Sequence, residues 1–184
     1  QGSRVDYVRP SQKQGPLMQT GQTLDVAIEG QGMFVVRASD NTAANAQRFT
    51  RDGSFSLDKE GFIVTSDGQR VLSEQSQFMQ VPFRLISGGR ELRLEELTID
   101  EFGNISAQMG RTDIVDVGRI GLALFSDVNE LTPIGGNFFK ANQESGPALI
   151  QGAFQGAYGK ILSGTLEMAN LNMTTELSVL IQAQ

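Results

Sequence analysis

The sequence predicts a mainly β fold: an antiparallel meander or partly closed β domain, preceded by an extended N-terminal segment and followed by a short C-terminal helix stub. Short runs of β-branched and aromatic residues alternate with polar ones, the period of two expected of a half-buried strand. Asp-Gly type turns separate these runs at intervals of about 8 residues, as in a meander. The 21 glycines are spread along the chain, which makes them turn punctuation and not a flexible linker.

The opening Gln1-Gly2-Ser3 reads as the remnant of a cloning linker. Residues 4–22 are polar, carry Pro10 and Pro16, and show no apolar period, so this segment is expected to be extended and to need a docking surface. The β core is expected over residues 23–160. Leu24, Val26 and Ile28 alternate with Asp25, Ala27 and Glu29 as a half-buried strand, Gly30-Gln31-Gly32 reads as a turn, and Met33 to Arg37 as the returning strand. After a polar loop at Asp40 to Ala46, strands are expected between the turns at Asp52-Gly53, Asp58 to Gly61 and Ser66 to Gly68. Val81 to Ile86 and Glu91 to Ile99 form a hairpin around Ser87-Gly88-Gly89, although Arg90 to Leu97 fits helix as well as strand. A turn at Asp100 to Asn104 leads to one or two strands within Ile114 to Phe125. Residues 161–184 read as a connector and the start of an amphipathic helix, with Met173, Leu177, Leu180 and Ile181 at spacings of three and four. Such a stub needs a partner, because an isolated helix of about three turns is marginal in water.

Composition excludes more than it suggests. Fifteen Lys and Arg stand against 21 Asp and Glu, a net charge of -6, so no long-range field draws in a phosphate backbone and nucleic acid is not an expected partner. No run approaches the length of a membrane span. Cysteine and histidine are both absent, which removes disulfides, the usual zinc ligands and the common nucleophile pairs.

The remaining motifs carry no chemistry. Gly30-Gln31-Gly32 is followed by Val35 where a dinucleotide fingerprint needs its third glycine, and Gly159-Lys160 is followed by Ile161 where a phosphate loop needs Ser or Thr. Asp25 and Glu29 lie about 13 Å apart along one strand face, too far for paired carboxylate catalysis. Asp58, Glu60, Glu95 and Glu96 read as solvated surface charges, and no calcium loop pattern occurs. Arg51-Asp52-Gly53 reads as turn geometry and not as an adhesion tripeptide. No catalytic, cofactor-binding or metal-binding residue is expected, and no enzyme activity.

One set of motifs does point somewhere. Leu24-Asp25-Val26-Ala27-Ile28-Glu29-Gly30-Gln31-Gly32 with the apolar pair Met33-Phe34 resembles a signature of the bacterial flagellar rod and hook axial proteins. Thr50, Arg51, Gly53 and Phe55 fit the family's next motif, and Asp58 with Gly61, then Val64, Thr65 and Gly68, fit the ones after it. Near the end, Gly164, Leu166, Glu167 and Asn170 resemble the family's run into its C-terminal helix. The order is the family's own. The absence of a large insertion between Gly68 and Gly121 resembles a rod protein more than a hook protein, and Thr174-Thr175-Glu176-Leu177 is similar to distal more than to proximal rod.

The resemblance implies a structural subunit that assembles helically with copies of itself and other axial proteins into the rod. Rod-surrounding ring proteins are further candidate partners. It implies no cofactor, a place in the periplasm-spanning basal body, and export through the flagellar secretion system without a cleaved signal. Family members begin and end with assembly helices, so the chain is expected to be a core whose terminal helices are missing. The competing classes are a carbohydrate-binding or carbohydrate-cleaving β domain and an adhesin module. The absence of Trp and the presence of only 2 Tyr count against the first.

Overall fold

The computed structural model describes residues 14–170. Its strands are β1 (Leu17–Gln19), β2 (Val26–Glu29), β3 (Met33–Arg37), β4 (Arg48–Thr50), β5 (Ser56–Leu57), β6 (Ile63–Val64), β7 (Arg70–Val71), β8 (Arg84–Ser87), β9 (Arg90–Ile99), β10 (Asn104–Met109), β11 (Asp113–Arg119), β12 (Gly121–Leu124), β13 (Thr132–Pro133), β14 (Phe139–Lys140), β15 (Leu149–Gly152), β16 (Lys160–Ser163) and β17 (Thr165–Glu167). Among the described residues the helical turns are two 3₁₀ segments, Ala44–Ala46 and Val128–Glu130. The expected helix stub with Leu177, Leu180 and Ile181 lies outside the described residues.

β3 organises the rest. Its one side pairs with β4 and its other with β12 at Met33 and Phe34 and with β7 at Val36 and Arg37. Successive side chains of a strand point to opposite faces, and here both faces are covered. Phe34 and Val36 join a core with Val26, Ile28, Phe55, Met79, Ile105 and Leu122. Met33 and Val35 join a second core with Phe49, Leu72, Ala123 and Leu131. The main sheet runs β13-β14-β4-β3-β7-β6-β5, with β12 and β15 attached beside β3. The order β7-β6-β5 is the expected meander, but β4 is separated from it by β3.

The hairpin expected from Gly30-Gln31-Gly32 is not there. β2 pairs with β16, from Val26 opposite Ser163 to Glu29 opposite Lys160, and shares no ladder with β3. Gly30 (φ 118°) and Gly32 (φ 126°) take a backbone that L side chains rarely adopt, and carry the chain around a corner from one sheet to the next. A Cβ on Gly30 would lie 2.9 Å from Gly159 Cα, so the corner also needs glycine for close approach. Nor is β2 half-buried: Val26, Ala27 and Ile28 are all fully covered.

The hairpin around Ser87-Gly88-Gly89 forms as β8 and β9, and Arg90 to Leu97 is strand. Together with β10 and β11 it makes a four-stranded sheet, order β11-β10-β9-β8. β10 is not among the expected strands, although Ile105, Ala107 and Met109 alternate with Ser106 and Gln108 and are buried. The sequence reading also ends the β core at residue 160, whereas β16 and β17 continue the β structure to Glu167.

Turn chemistry fixes the meander. Asp58 accepts from the Glu60 and Phe62 amides, each at 2.9 Å, and Gly61 (φ 91°) follows. In the next turn the Thr65 hydroxyl and the Gln69 side-chain Nε2 both donate to the Asp67 carboxylate. These bonds, the Thr65 one foremost, hold Asp67 below its ordinary value of 3.8. Its contribution to stability is therefore complete above that ordinary value and is lost as the pH falls through the lower folded-state value. Urea midpoints of the parent and Asp67→Asn should differ at neutral pH and converge as the pH falls below 3.8; a constant gap would contradict this assignment.

Two glycines make a sharper comparison. A Cβ at Gly53 would lie 1.6 Å from the Val26 carbonyl oxygen, while one at Gly68 (φ 87°) would meet nothing within 4 Å. Gly53→Ala should destabilise by about 3 kcal/mol or more, because backbone must move. Gly68→Ala should cost only the left-handed strain, about 1 kcal/mol. Equal losses in denaturant titration would refute the reading.

Candidate functional site

Several of the family-like residues, Ile28, Gly30, Gly32 and Glu167, meet at one arginine. Arg51 follows β4, where Thr50 is fully buried and its hydroxyl accepts from the Asp52 amide at 3.0 Å. The Arg51 guanidinium reaches the corner between β2 and β3. There Nη1 donates to the carbonyls of Gly30 (2.9 Å) and Gly32 (2.8 Å), and Nη2 donates to that of Ile28 (3.0 Å). Nε donates to Glu167 Oε2 at 2.9 Å, and Nη2 lies 2.6 Å from the same oxygen.

Glu167 belongs to β17, so this ion pair joins positions 116 residues apart. Its other oxygen accepts the Gly15 amide at 2.9 Å, just before β1. β1 and β17 pair in register, Leu17 opposite Glu167 and Gln19 opposite Thr165. Gln14 accepts the Gly30 amide through its side chain at 2.9 Å, and its own carbonyl accepts from Asn170 at 3.5 Å. Both ends of the described chain are thus held at the corner. The Glu167 side chain is 8% exposed and that of Arg51 19%, so the pair is largely desolvated and its hydrogen bonds offset that cost.

The neighbouring residues build the wall behind it. Gly53 packs against Val26, whose amide donates to the Gly53 carbonyl at 3.0 Å, and Phe55 donates its amide to Leu24 at 3.1 Å. Asp25 bridges Ser54 and accepts the Thr165 amide at 3.0 Å. The Phe34 and Phe55 rings meet edge to face with centroids 5.0 Å apart. Gly164 (φ 73°) accepts the Thr20 and Gly21 amides just past the far end of the β1–β17 pair, and Leu166 lies opposite Met18 at its middle. Asp58, Gly61 and Gly68 stay apart, in the meander turns.

Sequence reasoning misses Gln14 and Gly15, which sit in a polar stretch with no period to mark them. It also leaves Arg51 without a partner, since nothing local ties it to Glu167. The site is a fastening. Arg51 spends its fork on four acceptors, and Arg51-Asp52-Gly53 is built inward, with Gly53 buried. Beside it lies a cleft of about 580 Å³ bordered by Met33, Leu124, Phe125 and Val128. Among the described residues no three acidic, His or Cys side chains are grouped to hold a metal.

Comparison with known proteins matches these same segments. A family model described as the D1 domain of flagellar hook protein FlgE/F/G matches residues 27–107, which hold Ile28, Gly30, Gly32 and Arg51. The flagellar basal-body rod protein FlgG of Bacillus subtilis is 33% identical over 166 residues, covering 90% of this chain and 58% of the relative. FlgG of Agrobacterium fabrum is 30% identical over 184 residues, 100% of this chain and 64% of the relative. The rod protein FlgF of Caulobacter vibrioides is 30% identical over 175 residues, 93% of this chain and 60% of the relative. The chain spans about three fifths of the length of these relatives.

Removing one partner of a desolvated pair leaves the other uncompensated. Arg51→Met should therefore destabilise by about 3–5 kcal/mol in urea unfolding. Arg51→Lys should recover little, because an ammonium cannot reproduce the planar fork that spans three carbonyls and a carboxylate. A lysine variant as stable as the parent would show that charge alone, and not the fork, holds the corner.

Proposed function

The chain belongs to the family of flagellar hook and rod axial proteins, and on that premise we propose that it is a structural subunit of the bacterial flagellar rod. In this reading it assembles helically, with copies of itself and other axial proteins, into the tubular shaft that crosses the periplasm in the basal body. It reaches that place through the flagellar secretion system, and its work is mechanical, not catalytic. Relatives matching over 90% or more of the chain bear rod names, which favours rod over hook; the Thr174 to Leu177 resemblance favours the distal segment.

The observation that carries the proposal is the Arg51 joint. Residues from the family-like motifs converge there to fasten the two ends of the described chain to one sheet corner. A subunit whose task is to hold neighbours in fixed geometry needs its flanking segments anchored to its body, and this joint supplies such an anchor.

The test is genetic. A strain lacking the gene should be non-motile, with basal bodies that stop before the hook in electron micrographs, and the wild-type gene should restore both. A deletion strain that builds hooks and swims would overturn the proposal.

A further inference from the structure

Two exposed phenylalanines from distant turns are held against each other. Phe102 is 46% exposed and Phe154 47%, and their ring centroids are 5.5 Å apart. Phe154 has φ 59°, one of two non-glycine residues with positive φ among those described, and a bulky side chain there is strained. A bracket maintains the pose. Arg119 donates to the carbonyls of Phe102 (2.9 Å) and Ala153 (2.6 Å), while the Phe154 amide donates to Gly159 at 2.8 Å. Asp100 and Glu101, exposed on the same turn as Phe102, have no ion pair among the described residues. This end of the molecule presents a rigid aromatic pair with an acidic rim.

The opposite end of β9 has the opposite character. Ile86, 71% exposed, stands beside Arg84 on β8, with exposed Arg90 and Arg93 on β9. The turn carrying exposed Arg111 is tied to β9 by the Gly110 amide donating to Arg93 at 2.8 Å. Of the nearby carboxylates, Glu91 pairs with Arg84 at 3.4 Å and Asp113 accepts from Thr112, while Arg90, Arg93 and Arg111 have no ion pair among the described residues. The ten residues of β9 set its two ends about 30 Å apart, so the patches cannot meet within one chain.

We infer that the Phe102–Phe154 pair of one copy docks on the arginine-bearing Ile86 end of a second copy, head to tail. This rests on the structural-subunit reading and adds a surface to it. Arginines stack on aromatic faces, as Arg70 does within this chain at 3.6 Å from the Phe62 centroid, and aromatic and Arg side chains dominate interface energetics. Two different patches at opposite ends make a heterologous contact, which propagates instead of closing into a two-fold dimer. Two half-exposed rings and their rim bury a few hundred Å² at most, well short of the roughly 1,200 Å² of a stable pair. The contact is therefore weak between free copies and gains strength where each subunit is held by several contacts at once.

Disulfide trapping reads such a contact, and the chain has no cysteine of its own. Gln155→Cys and Ser87→Cys variants, mixed at high concentration and oxidised, should give the 155–87 dimer in excess over both symmetric dimers. A chain carrying both cysteines should form a ladder of covalent oligomers. Phe102→Ala with Phe154→Ala should cut the ladder roughly tenfold, while Leu149→Ala at an unrelated exposed site should not. Arg90→Glu with Arg93→Glu should also cut it, and adding Glu101→Lys should restore part, which a folding defect would not allow. Equal yields of the three dimers, or a ladder indifferent to these changes, would overturn the inference. Failure of the rod reading itself shows separately, as a motile deletion strain.

Discussion

The fork of Arg51 is the constraint on which the described structure turns. Where β2 leaves its partner β16 and the chain enters β3, the carbonyls of Ile28, Gly30 and Gly32 come together at a corner. A buried backbone acceptor left without a partner is costly, and among the described residues no strand pairs with both β2 and β3 across this change of sheet. One guanidinium satisfies all three and still reaches Glu167. The glycines at 30 and 32 supply the backbone angles that aim two of those carbonyls, so the glycine pair and the arginine form one device.

From that corner the packing follows. β3 leaves it fully buried and divides the interior, Phe34 and Val36 to one core and Met33 and Val35 to the other. The four-stranded β8–β11 sheet closes the first core with Ile105, Ala107 and Met109 pointing inward and polar residues alternating outward. The second core is closed by the irregular stretch carrying Phe125, Leu131 and Phe139, where short strands suffice because each adds one or two side chains. The Phe49–Phe125 edge contact at 4.8 Å links that stretch to β4.

Much of this was legible in the sequence where local chemistry decides. Met33 to Arg37 is a strand by pattern and in fact, and Ser87-Gly88-Gly89 marks its hairpin. Where tertiary structure decides, the pattern misleads. Arg90 to Leu97 mimics a helix because a β-bulge intervenes: Gln108 faces Glu96 while Met109 faces Leu94, leaving Glu95 as an extra residue. That insertion keeps Leu94 and Leu97 on one face at a spacing of three, which a periodicity count takes for helix. Gly30-Gln31-Gly32 reads as a hairpin turn because its glycines are turn formers; only the location of β16, 130 residues on, reveals a corner. The motif residues around the joint were legible as a family pattern, but their convergence was not, since Arg51 and Glu167 share no local signal.

The same geometry explains why the fastening is polar. β1 and β17 are three-residue strands whose ladder partner is each other, and a lone two-stranded pair is marginal in water. Burying more apolar surface would hold such a ribbon, but dispersion is non-directional and lets it slide or rotate on the body. An arginine fork bonded to fixed carbonyls and a carboxylate permits one orientation. Glu167 passes that orientation to Gly15, and Gln14 returns to the Gly30 amide, so the ribbon is tied through both of its strands. On the proposal that the chain is a structural subunit, a joint that resists rotation is worth more than one that merely adds stability.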